Sequence, residues 1–149
     1  MPVKQKLNDD LHDAMRARDE TRKSALRMAL ASIHNAEIAT GKELDDEGTT
    51  GVIAKEVKQR RESIEEFLKA GRQDLVDKER GELEVLLAYL PQQISRSEIE
   101  AAAREVIAET GASGPRDKGK VMPVLMGRLR GRADGGEINT VVTELLAAL

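Results

Sequence analysis

Aromatic side chains are almost absent from this chain: Phe67 and Tyr89 are the only two in 149 residues. Any sizeable core must therefore be built from Leu, Ile, Val, Ala and Met. That favours helix-on-helix packing over the aromatic and β-branched strands of sandwiches and barrels. The same shortage argues against folds that read single-stranded nucleic acid by stacking bases on aromatic platforms. Hydrophobic residues make up 40% of the sequence and charged ones 34%, which supports a packed core and argues against wholesale disorder. Cysteine is absent, so disulfides, thiolate catalysis, iron–sulfur clusters and the usual structural zinc sites are not available.

Apolar spacing is helical almost throughout, and no segment of useful length alternates with period two. Leu7, Leu11, Ala14 and Met15 mark one face of a first helix. Thr21 to Thr40 continues it or starts a second, with Leu26, Leu30 and Ile33 on one stripe and Gly41 as the stop. Lys42 to Gly51 is acidic and glycine-containing and reads as a loop. A long helix follows, in which Ile53, Val57, Arg60, Ile64 and Phe67 or Leu68 form a seam for shallow-angle packing. After Gly71, the residues Leu75, Glu79, Leu83, Leu86 and Leu90 repeat the pattern, which predicts an antiparallel αα-hairpin.

Pro91 stops the hairpin, so two helical domains are expected, residues 1–94 and 95–149. Ser95 with Glu98, or Ser97 with Glu100, has capping-box spacing and opens a helix through Ile99, Ala102, Ala103, Val106 and Ile107 toward Gly111. Pro115 suits a first helical position. Pro123 lies inside the following apolar stripe of Val121, Met122, Leu125 and Leu129, and predicts either a kink or a later helix start. Asp134 is placed to cap a last helix that buries Ile138, Val141, Val142, Leu145 and Leu146. The expected fold is all-α: a helical N-terminal unit with a long hairpin, then a three-helix bundle.

No catalytic machine is recognisable, and no metal or cofactor is expected. Gly114 to Lys120 has the glycine and lysine spacing of a phosphate-binding P-loop, but Val121 stands where a Ser or Thr should reach magnesium, and a helix precedes it instead of a strand. His12 and His34 have no partners at metal-helix spacing. Glu62 and Glu65 sit opposite Lys58 and Arg61 and read as a solvated helix face.

Formal net charge is −3, against a generally basic nucleic-acid coat, but its distribution is uneven. Lys55, Lys58, Arg60 and Arg61 line the long helix, and Arg116 to Arg132 contains six bases and one acid, Asp117. Lys118, Lys120, Arg128, Arg130 and Arg132 are therefore the candidate nucleic-acid-binding residues, acting through phosphates. The plainer reading is a solubilising surface whose C-terminal bases complement a helix dipole.

Four phrases resemble the YqeY proteins of the GatB/YqeY family: KEVKQRRESIEEFLKAGRQDL (Lys55 to Leu75), ELEVLLAYLPQQIS (Glu82 to Ser95), ETGASGPRDKGKVM (Glu109 to Met122) and GRADGGEIN (Gly131 to Asn139). A weaker likeness extends to the tail of GatB, a subunit of the tRNA-dependent amidotransferase, through Gly119 to Met122, Gly131 to Ala133 and Asn139. Pro123 and the second glycine of Gly135-Gly136 depart from the usual pattern. The resemblance implies a helical N-terminal unit, a three-helix unit and an association with tRNA or a tRNA-processing enzyme. The kinase and transamidase chemistry of GatB lies in a separate domain with no counterpart in this chain.

Three functions follow as expectations: a noncatalytic tRNA-binding module, an accessory of a carbon–nitrogen ligase with glutamine as amido-N-donor, or a protein-interaction adaptor that does not bind RNA. The N-terminal stretch lacks an apolar run of signal-peptide length, and no segment is long enough to span a bilayer. A cytoplasmic protein without a membrane partner is expected on that ground.

Overall fold

A computed structural model describes all residues, Met1–Leu149, as seven α-helices and one short 3-10 turn, with no strand. The chain divides into two compact units, Met1–Pro91 and Gln92–Leu149. No helix is long and apolar enough to cross a membrane.

The first unit contains α1 (Val3–Arg16), α2 (Glu20–Thr40), α3 (Asp46–Lys69) and α4 (Gln73–Leu87). Leu7 and Ala14 of α1 pack with Ala25, Leu26, Ala29 and Ile33 of α2, Ile53 and Val57 of α3, and Leu86 of α4. Met15, expected on the buried face of α1, is 45% exposed. Asp19 begins α2 by accepting a hydrogen bond from the Arg22 N–H at 3.1 Å, and Gly41 ends it at φ 71°. A residue with a side chain is strained in that left-handed region, which is why glycine stands there.

The stretch expected to be a loop as far as Gly51 is helical from Asp46. Asp45 accepts from the Gly48 N–H at 2.8 Å, and Asp46 and Glu47 complement the positive end of the helix dipole. The remaining loop is held by Glu37, whose carboxylate takes both the Lys4 ammonium and the Leu44 N–H at 2.8 Å. Those two bonds, the lysine first, keep its pKa below the ordinary carboxylate value.

Helices α3 and α4 form the predicted hairpin, with Gly71 at φ 69° between them. Ile53, Val57, Arg60 and Ile64 are the buried residues of its first seam, together with Thr49. On α4 the buried residues are Val76, Glu82 and Leu86, whereas Leu75 and Leu83 are half-buried. This helix packs against α2 as well as α3, so its inward face is turned from the leucine seam toward Val76 and Glu82.

The second unit contains α5 (Arg96–Thr110), a 3-10 turn (Pro115–Asp117), α6 (Lys118–Arg128) and α7 (Gly135–Ala147). Ser95 is the cap that forms, accepting from the Glu98 N–H. The core is wholly aliphatic: Ile99, Ala103, Val106 and Ile107 from α5, Val121 and Leu125 from α6, Leu129 after it, and Ile138, Val141, Val142 and Leu146 from α7. Pro115 opens the 3-10 turn, and α6 starts after it and runs through Pro123. The helix tolerates the proline because Gly119, whose carbonyl loses its donor, is exposed to water, as is Pro123 itself.

Candidate functional site

The turn joining α6 to α7 carries three of the second unit's bases, Arg128, Arg130 and Arg132. Leu129 is buried at its start and Ile138 beyond its end, which anchors both sides of the crossing. Gly131, at φ 75°, makes the reversal that a residue with a Cβ adopts only under strain. The turn is then tied to the segment that enters the unit. Gln93 Nε2 donates to the Gly131 carbonyl at 2.7 Å, and the Ile94 N–H donates to the Arg132 carbonyl at 3.0 Å. The Arg132 N–H closes the turn onto the Leu129 carbonyl at 2.9 Å. Arg128, Arg130 and Arg132 are all exposed around this pinned backbone.

Each base has a different setting. Arg128 pairs through both terminal nitrogens with Glu109 of α5. The hydrogen-bonded pair raises the arginine pKa and lowers that of the carboxylate. Arg132 lends its Nε to the Gln92 carbonyl at 3.4 Å. Arg130 borders a groove lined also by Met126, Leu129, Ala133 and Ile138. Lys118 and Lys120 stand at the other end of α6, and an eleven-residue helix is about 16 Å long. Lys120 lies 3.4 Å from Asp117. The Asp117 carboxyl is held below its ordinary range, first by the Ser113 N–H at 2.8 Å and then by Lys120. The five candidates thus form two groups on one helix and its exit turn, not one continuous patch.

Asp134 accepts from the Glu137 N–H at 3.2 Å and caps α7. A Cβ at Gly136 would come within 2.9 Å of its Oδ2, so glycine there gives the capping carboxylate its room. No group of three or more His, Asp or Glu is arranged to hold a metal ion.

Sequence reasoning missed Glu109, Gln93 and Ile94, the residues that shape this edge. Each acts across a long sequence separation, and no local pattern marks it. It also counted Arg60 with the basic residues of the long helix. In the structure Arg60 is 4% exposed and bonded to Glu82, itself 3% exposed, and to Glu79 at 3.1 Å. Its place on the apolar seam was the signal that it points inward.

The family model for YqeY-like proteins matches residues 4–146. Among curated proteins the chain is 42% identical over 112 residues to "Altered inheritance of mitochondria protein 41, mitochondrial" of Lachancea thermotolerans, covering 73% of this chain and 60% of that protein. The protein of the same name from Eremothecium gossypii is 46% identical over 99 residues, 66% of this chain and 54% of its own length. This chain therefore spans little more than half the length of the relatives it matches. Their names are mitochondrial, which overturns the expectation of a cytoplasmic protein. That expectation rested on the lack of a long apolar segment, a feature that speaks to secretion and membrane spanning but does not distinguish one aqueous compartment from another. With nearly its whole length matched, this chain belongs to the YqeY-like family.

Proposed function

We propose that the protein is a noncatalytic helical module that binds tRNA through its second unit. One observation carries the reading: Arg128, Arg130 and Arg132 are exposed around a turn whose backbone is pinned by Gln93 and Ile94. A fixed cationic edge suits phosphates, and ordering it in advance lowers the cost of binding. The whole chain is acidic, so a local patch must overcome a general repulsion, and binding should be modest and strongly salt-dependent. The likeness to the amidotransferase tail supports tRNA as the RNA. Because the relatives are named mitochondrial, mitochondrial tRNA is the first ligand to test.

Changing Arg128, Arg130 and Arg132 together to Ala should weaken tRNA binding and lower the salt slope by about one unit for each phosphate no longer neutralised. The circular-dichroism spectrum should stay helical. Equal affinity of wild type and triple variant at two salt concentrations would overturn the reading and leave a protein-interaction adaptor in its place. The likeness to the tail also supports an accessory role beside a carbon–nitrogen ligase using glutamine as amido-N-donor. Stimulation of tRNA transamidation by the added chain tests that role separately.

A further inference from the structure

Taking the tRNA reading as its basis, we infer that the RNA element this unit grips is an A-form double-helical stem, laid with its minor groove along the outward face of α6. One face of α6 is committed to the core through Val121 and Leu125, and the opposite face exposes Lys120, Pro123, Val124 and Gly127. Cations bracket that face. Arg116, Lys118 and Lys120 stand at its start, with Asp117 among them; Arg128, Arg130 and Arg132 stand at its end, with Glu109 paired to the first. Lys120 and Arg128 stand eight residues apart on α6, about 12 Å along its axis, so one phosphate cannot serve both groups. Each group needs its own.

The start of α6 has a second feature. Its first turn holds Lys118 and Lys120 and no acid, and no side chain caps it. Lys120 pairs with Asp117, the residue before the helix, at 3.4 Å, while positive side chains in a first turn oppose the helix dipole, so a phosphate at that end adds a counter-charge that both lysines and the helix start can use.

The middle of α6 decides the kind of nucleic acid. From Val121 to Gly127 no side chain is ionisable or a hydrogen-bonding amide or hydroxyl, so base edges in a B-form major groove cannot be read there. Gln92–Leu149 contains no aromatic residue, so unpaired bases of a single strand have no platform. An A-form duplex asks for neither. Its minor groove is wide and shallow, floored with ribose and bordered by two rows of phosphates, and it can meet an uncharged helix face with a cationic group at each end.

The test compares four ligands by fluorescence anisotropy on the full chain: whole tRNA, an RNA duplex of about 16 base pairs, one strand of it alone, and a DNA duplex of the same sequence. The RNA duplex should bind within a few-fold of tRNA, and the single strand and DNA duplex about tenfold more weakly or worse. Binding of tRNA without preference for the RNA duplex over the other two overturns the inference and leaves the tRNA reading standing. Failure to bind tRNA overturns both. A Cβ at Gly127 meets nothing within 4 Å, so Gly127→Gln should fold normally and obstruct the middle of the face. It should lower RNA-duplex affinity by about tenfold with an unchanged helical spectrum; unchanged affinity overturns the inference.

Discussion

The two units use charge in opposite ways. Thr49, Arg60 and Glu82 are the buried polar or charged residues of the chain, and all three lie in the first unit. There the guanidinium of Arg60 is consumed by Glu82 and Glu79 between the two arms of the hairpin. The second unit buries only aliphatic side chains and keeps its cations outside. A buried ion pair costs desolvation and is weak evidence of stability, but it demands one register, because a slipped hairpin leaves a charge unpaired in the core. A bundle of branched aliphatics makes no such demand, and its charges stay at the surface, where Arg128 pairs with Glu109 and Lys120 with Asp117. The basic residues of the long helix and those after Gly114 look alike as sequence, yet Arg60 is a structural residue and Arg128 to Arg132 form a surface.

The largest effect that separates the two units is expected from Arg60→Met. It leaves Glu82, 3% exposed, without its main counter-charge, and losing one member of a buried pair costs about 3 to 5 kcal/mol. Urea unfolding gives the size, and amide hydrogen exchange assigns the loss to Met1–Pro91. Adding Glu82→Leu should recover much of the stability, because the uncompensated charge goes with it. A single-variant cost under about 1 kcal/mol would break the comparison, since the pair would then behave like an exposed one.

A smaller effect is expected in the second unit from Asp134→Ala, which removes the acceptor for the Glu137 N–H and should lower stability by about 0.5 to 2 kcal/mol. Exchange should speed up in α7 and not in the first unit. If stability held while tRNA binding disappeared, Asp134 would belong to the ligand site rather than to the helix.

The all-helical class was legible because both signals behind it are local: helical apolar spacing, and glycines at Gly41, Gly71 and Gly111, each of which takes the left-handed conformation of a helix stop. The start of α3 was legible in principle, since Asp45 followed by Asp46 and Glu47 is an N-terminal signature. The glycines at Gly48 and Gly51 masked it. The rotation of α4 was not legible, because whether Leu83 or Glu82 faces inward depends on α2 packing on the same helix. At the candidate site, the arginines stood out as a run of like charge, but their separation from Lys118 and Lys120 emerged only once α6 was seen to start at Lys118 and to hold the two groups apart. Nothing in the spacing connects Arg128 to Glu109, which lies on a different helix of the bundle.

That last pair gives the smallest and most discriminating effect. Glu109 and Arg128 are both nearly half exposed, so water screens the pair and its share of stability is small. The hydrogen bond from Arg128 lowers the Glu109 pKa from its ordinary 4.5. A carboxylate more acidic in the folded state stabilises the fold above its unfolded pKa, and that contribution is lost as pH falls through the lowered folded value. Glu109→Gln should therefore melt slightly below wild type at pH 7, and the gap should close in acid once the wild-type carboxyl is protonated. Its effect on RNA should have the opposite sign. Removing a negative charge from beside the cationic edge, and releasing Arg128 from its partner, should tighten tRNA binding and steepen its salt dependence. Weaker binding in the variant would mean that Glu109 holds Arg128 in the orientation the phosphate needs, so that charge in the second unit, like the buried charge of the first, would serve geometry before attraction.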